Sequence, residues 1–181
     1  MGKRSRGGHK FALGRTTPQE LVASTVPRRP RLPRQKLRVL AYADAGNHTG
    51  FERVMRGIMT YLHGTGEFEI RVMGIGYHGS PDFDYPFKVY PASPDSGDLL
   101  GVTGIHKAIE VHDPDVLWIL QDMWNITSYL SQAQAPDLPI VTYSPVDTPN
   151  MKWSHAVSCA AASKEVAYTS FGAQEIAAGI R

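Results

Sequence analysis

The chain holds a single cysteine, Cys159, in 181 residues. That excludes an internal disulfide and a cysteine-based zinc site, and it fits a reducing, cytoplasmic setting. No apolar run approaches the roughly 18 residues that a membrane-spanning helix needs. The basic N-terminus is not followed by an apolar stretch, so it does not read as a secretory signal. No G-x-G-x-x-G follows the first predicted strand. Gly74 and Gly76 stand at the end of the second strand, where a dinucleotide-binding fold would carry an acid. A nicotinamide-dependent oxidoreductase is therefore disfavoured. His48, His106, His112 and His155 lack metal-ligand spacing, so no metal is expected.

Acidic residues are nearly missing from one end. Residues 1–38 hold eleven Lys and Arg against one acid, Glu20, a net charge of +10. The remaining eight bases and sixteen acids give −8, so a basic arm precedes an acidic domain. Residues 1–36 read as a disordered arm, because 28–34 combine like charges with prolines and lack apolar periodicity. A short helix over 18–23 is expected, with Thr17 as its cap. Lys3, Arg4, Arg6, Arg28, Arg29, Arg31 and Arg34 suit DNA or another polyanion, bound through counterion release without sequence readout. The same charge equally suits a solvated tail, or one that pairs with its own acidic domain.

The remainder, residues 37–181, is 145 residues of alternating strand and helix patterns, enough for one buried domain. Strands are expected at 37–43, 68–75, 87–90, 115–120, 138–143 and 165–169, and helices at 51–62, 100–111, 126–134, 151–162 and 171–180. The first helix carries Phe51, Val54, Met55, Ile58, Met59 and Leu62, the spacing of one buried face. Strands separated by helices imply right-handed crossovers and an α/β, doubly wound parallel sheet. Ligands of such sheets sit beyond the carboxyl ends of the strands. That selects the loops 44–50, 76–80, 121–125, 144–149 and 170–172.

The loop before the first helix, Asp44-Ala45-Gly46-Asn47-His48-Thr49-Gly50-Phe51, presents backbone N–H groups at a helix N-terminus. Phosphate is the usual guest of such a turn, and a tight turn with no ligand is the alternative. Asp122 and Asp147 can serve a ligand or cap the helices that follow. Trp124 suits either the core or a cleft wall. Cys159, in an alanine-rich helix, reads as a small core residue.

Read together, these loops resemble those of the N-terminal domain of GT-B-fold glycosyltransferases, closest to the retaining, group-1-like branch common in bacteria and phages. The segments that carry the resemblance are Ala43-Asp44 with Thr49-Gly50-Phe51-Glu52-Arg53-Val54, Gly74-Ile75-Gly76-Tyr77-His78-Gly79, Pro86-Phe87-Lys88-Val89-Tyr90-Pro91 and Pro114-Asp115-Val116-Leu117. Gln121-Asp122-Met123-Trp124-Asn125, the run Pro139-Ile140-Val141-Thr142-Tyr143-Ser144-Pro145-Val146-Asp147, and Tyr168-Thr169-Ser170-Phe171-Gly172 continue it. The resemblance implies a single Rossmann-like GT-B half on the acceptor side. A sugar would pass from a nucleotide-sugar donor to an acceptor hydroxyl, with no covalently bound cofactor. It implies a donor-phosphate loop at Thr49, Gly50 and Phe51. The acceptor-side cleft would comprise His78, Asp122, Trp124, Asn125 and Ser170, with Asp147 facing the reacting sugar as the catalytic candidate.

Two departures qualify it. The family's C-terminal donor domain, with its paired glutamates and phosphate-binding basic residues, is absent from these 181 residues. A partner chain or a missing segment would have to supply it. The basic arm is foreign to the family and points to a polyanionic acceptor or to a non-catalytic nucleic-acid module on an inherited fold. A lone half-domain also exposes its cleft side, which favours self-association.

Overall fold

The computed structural model describes residues 36–79, 82–93, 97–133, 135 and 137–180. The basic arm residues Lys3 to Arg34, and the short helix expected at 18–23, lie outside them.

Six strands build one sheet: β1 (Leu37–Asp44), β2 (Phe68–Ile75), β3 (Lys88–Pro91), β4 (Val116–Leu120), β5 (Ile140–Ser144) and β6 (Lys164–Ala167). The helices are α1 (Gly50–Gly64), α2 (Ile105–His112), α3 (Met123–Ala133), α4 (Trp153–Ala161) and α5 (Ser170–Gly179). All strand pairs are parallel, in the order β3-β2-β1-β4-β5-β6. This is a Rossmann-like doubly wound sheet, and its strand order reverses direction between β1 and β4.

The two sheet faces have separate cores. On one, Leu40, Tyr42, Leu117 and Ile119 meet Ile105 and Ala108 of α2 and Ile126, Tyr129 and Ala133 of α3. On the other, Val39, Ala41, Ile70, Val72, Trp118 and Leu120 meet Met55 and Met59 of α1, with Phe87. Residues alternate between faces along each strand, so both faces of β1 and β4 are apolar, as a central parallel strand requires.

The helix starts differ from expectation by three residues or more in two places. α2 begins at Ile105 rather than near residue 100. Gly101 sits at φ 69°, where an added Cβ would collide with the Ala92 backbone. Asp98 holds both the Thr103 amide and hydroxyl at 2.7 Å, which closes 98–103 into a loop. α3 begins at Met123, three residues before the expected start. The Asp122 carbonyl accepts from the Asn125 and Ile126 amides at 2.9 and 3.3 Å, so the helix springs directly from the end of β4. Trp124 and Asn125 thereby move from a loop into the first helical turn.

Candidate functional site

β1 pairs with β4 from Val39↔Val116 to Tyr42↔Ile119. Continuing that register brings Asp44, the last residue of β1, beside Gln121. Asp122 follows at the point where the strand order reverses. β5 ends at Ser144, and Asp147 stands on the loop beyond it. Three carboxylates thus gather at the carboxyl edge. Burial raises the Asp122 pKa above the usual carboxylate range, and repulsion from Asp147 and then Asp44 adds to it. Burial also raises Asp44, against a hydrogen bond from Thr49.

Tyr168 belongs to this group, though no sequence signal marked its role. Its pKa is pushed well up, first by burial, then by Tyr143, Asp122 and Asp44. Its hydroxyl is buried without a hydrogen-bond partner, and its ring lies 4.5 Å from that of Tyr143. A buried hydroxyl with no partner is costly unless something else satisfies it.

Around this centre stand the other expected residues. Trp124 is 57% exposed and so is not a core anchor. Its ring centroid lies 6.5 Å from that of His155. Asn125 is half-buried, and its side-chain amide donates to Gln121 Oε1 at 3.0 Å. His78 is exposed on the loop after β2, between Gly76 and Gly79, both at positive φ. Ser170 is exposed at the first position of α5, and Thr169 caps that helix by accepting from the Gly172 amide at 3.0 Å.

The β1–α1 loop is fixed by its own side chains. The Thr49 hydroxyl caps α1 by accepting from the Glu52 amide at 3.1 Å. Its proton goes to Asp44 Oδ2 at 2.8 Å, with Asn47 Oδ1 at 3.1 Å. Gly50 is exposed, and an added Cβ there would meet nothing within 4 Å. The backbone imposes no glycine at that position, and the space above it is open. Phe51 packs partly buried against the α1 core.

Beneath the loop lies a feature that sequence reasoning missed. Glu52 is fully buried. Its Oε1 accepts from Tyr85 Oη at 3.2 Å and pairs with Arg56 Nε at 3.1 Å, while Oε2 has no partner. Tyr85 in turn accepts from the Gly46 amide at 2.9 Å. Burial pushes the Tyr85 phenol up to about 12. The Thr49-x-x-Glu52 spacing is that of a capping box, but the carboxylate turns inward to this chain of partners. Among the described residues no group of His, Cys, Asp or Glu is arranged to hold a metal ion.

The site therefore offers carboxylates and a buried phenol beside an exposed indole. Carboxylates accept hydrogen bonds from paired hydroxyls, and an exposed aromatic face suits an apolar ring surface. Neither a family model nor a curated protein matches this chain.

Proposed function

We propose that this domain forms the acceptor-side half of a glycosyltransferase. It would help move a sugar from a nucleotide-diphosphate donor to an acceptor hydroxyl in the cytoplasm. The observation that carries the reading is the convergence of Asp44, Asp122, Asp147 and Tyr168, with exposed Trp124, at the switch point of a parallel sheet. Doubly wound sheets bind ligands there. The sequence resemblance supplies the chemistry. Asp122, Trp124, Asn125, His78 and Ser170 would bind the acceptor, and Asp147 would face the reacting sugar. The donor diphosphate would approach the open space over Gly50. The cations that stabilise a leaving diphosphate would come from a separate donor domain. Arg56, one of the bases of α1, is already committed to Glu52.

The second reading is a non-catalytic module that binds DNA or another polyanion through its arm. The charge contrast between residues 1–38 and the rest of the chain favours it. Calorimetric titration of the whole chain with UDP, GDP and their sugars, and with a short DNA duplex at two salt concentrations, separates the two. Saturable nucleotide binding lost on Gly50→Val supports the first. Salt-sensitive DNA binding lost on removing residues 1–36, with no nucleotide binding, replaces it with the second.

A further inference from the structure

The connection from β5 to α4, residues 145–152, carries Asp147, and one side of α5 receives it. Gly172, Glu175, Ile176 and Gly179 follow one another at i, i+3, i+4 and i+7, so they share a single stripe of that helix. The loop lies along this stripe. A Cβ on Gly172 would stand 3.0 Å from Val146 Cβ and 3.2 Å from its Cγ2. Ile176 and Val146 share one buried cluster. Glu175 Oε2 accepts from the Asn150 amide at 2.8 Å. A Cβ on Gly179 would meet the Met151 carbonyl oxygen at 3.6 Å and Met151 Cβ at 3.7 Å.

Two of these contacts bracket Asp147 closely. Val146 is buried against α5, and Gly172, which runs against helix propensity, is what lets it come so near. Asn150 sits at φ 61°, a left-handed conformation that asparagine adopts more readily than most residues. Its amide meets a carboxylate, the stronger kind of acceptor. Between Val146 and Asn150 lie only Asp147, Thr148 and Pro149, all exposed. Asp147 is therefore anchored on both sides by one helix. It has reason to need anchoring. Its charge repels that of Asp122, so a loose loop would relax by drawing the two apart.

We infer that Glu175 is a positioning residue for Asp147: through the Asn150 amide it keeps that carboxylate near Asp122 at the switch point. The charges that bear on Asp122 are those of Asp147 and Asp44, so Glu175 acts through the loop and not across space. The same helix begins beside the site, since Tyr168 and Ser170 flank its cap, Thr169. α5 thus sets Tyr168 and Ser170 by its start and Asp147 by its flank. That Asp147 faces a reacting sugar rests on the reading proposed above. That Glu175 holds it in place does not.

Titration of the Asp122 side-chain carboxyl by NMR tests this on the whole chain. Four proteins are compared: the native chain, Asp147→Asn, Glu175→Ala and Glu175→Gln. Alanine is a strong helix former, so Glu175→Ala keeps α5. The glutamine side-chain oxygen still accepts from the Asn150 amide but carries no charge. The expected result is a lower apparent Asp122 midpoint in Asp147→Asn and a fall nearly as large in Glu175→Ala, with Glu175→Gln titrating as the native chain does. An Asp122 midpoint that Glu175→Ala leaves unchanged overturns the inference. So does an equal fall in Glu175→Ala and Glu175→Gln, which makes Glu175 a charge rather than an anchor. So does a midpoint indifferent to Asp147→Asn, which leaves no neighbour for the loop to hold. Calorimetric titration of the native chain with nucleotide sugars and glycans reads the function separately. Binding of neither overturns the glycosyltransferase reading, while the NMR midpoints still decide the role of Glu175.

Discussion

Tyr85 accepts the Gly46 amide at 2.9 Å and donates its own proton to Glu52 at 3.2 Å. One hydroxyl therefore ties the turn after β1, where Gly46 sits at φ 70°, to a buried acid in the first turn of α1. The ring is held in turn by Phe83 and Phe87, at 6.1 and 5.5 Å. The segment before β3 thus sets the shape of the loop at the candidate site, from 39 residues away.

Tyr85→Phe keeps the stacked ring and removes only the hydroxyl. It leaves the Gly46 amide unpaired and removes one partner of Glu52. The expected cost is about 1–3 kcal/mol. Denaturant unfolding should show it as a lower midpoint with an unchanged slope. Native-state exchange should show the Gly46 amide opening faster than its neighbours in β1. An unchanged Gly46 exchange rate would mean that the bond does not hold the turn.

Two glycines should respond oppositely to alanine. At Gly74 an added Cβ would lie 2.6 Å from Tyr77 Cβ and 2.8 Å from Ala45 Cβ, with little room to yield. Gly74→Ala should cost about 1–3 kcal/mol by overpacking. At Gly50 a Cβ meets nothing, and alanine in the first turn should stabilise by about 0.5–1 kcal/mol. Thermal unfolding of the pair settles the contrast. A destabilised Gly50→Ala would show that the space above α1 is not open.

Glu165 makes stability depend on pH. It lies on β6, and Thr142 Oγ1 of β5 donates to its Oε2, while Oε1 is buried without a partner. Burial raises its pKa above the ordinary 4.5, against smaller opposing effects of Thr142, Cys159 and Ser144. It also helps push the Cys159 thiol up to about 12, where burial is the larger cause. A raised folded pKa means that the folded state holds the proton more tightly than the unfolded one. The associated stability is present below pH 4.5 and is lost as pH rises through the folded pKa. Asp44 and Asp122 are also raised and act in the same direction. Glu165→Gln should therefore flatten the decline in stability from pH 4.5 upward without abolishing it. Unfolding midpoints at a series of pH values, compared with the native chain, give the difference. Parallel curves would remove Glu165 from the account.

These responses separate what local sequence encodes from what it does not. β4 was legible because Val116–Leu120 is a continuous apolar run, and α1 because Met55 and Met59 recur with the helical period. The start of α2 was not, because Gly101 takes its conformation against Ala92 and Asp98 rather than from its neighbours alone. The start of α3 was missed because Met123 and Trp124 announce no cap. At the site, the strand-end loops and Asp122 could be read from the alternation of strands and helices. Glu52 could not, because a glutamate at the third helical position reads as a capping residue. Its burial depends on Tyr85, 33 residues away. Tyr168 was hidden likewise, since its neighbours Asp122 and Asp44 arrive from other strands.

Function and stability should part company at Asp122. Its carboxylate is partly buried and repelled by Asp147 and Asp44, so its charge opposes folding. Among the described residues it takes no hydrogen bond that would compensate. Asp122→Asn removes the charge and keeps the shape, so at neutral pH the variant should be as stable as the native chain or more so, by up to about 1 kcal/mol. A residue kept at a cost in stability is what a binding or catalytic role predicts. If Asp122 accepts hydrogen bonds from an acceptor's hydroxyls, the same change should weaken that acceptor's binding roughly tenfold or more, equivalent to about 1.4 kcal/mol or above. Trp124→Ala is the companion test. The indole is 57% exposed, so its loss should shift the unfolding midpoint little while removing the stacking face. Calorimetric titration with candidate glycan acceptors, beside thermal unfolding of the same samples, reads both quantities. A destabilised Asp122→Asn that binds as the native chain does would make this carboxylate a structural group and move the acceptor site away from the switch point.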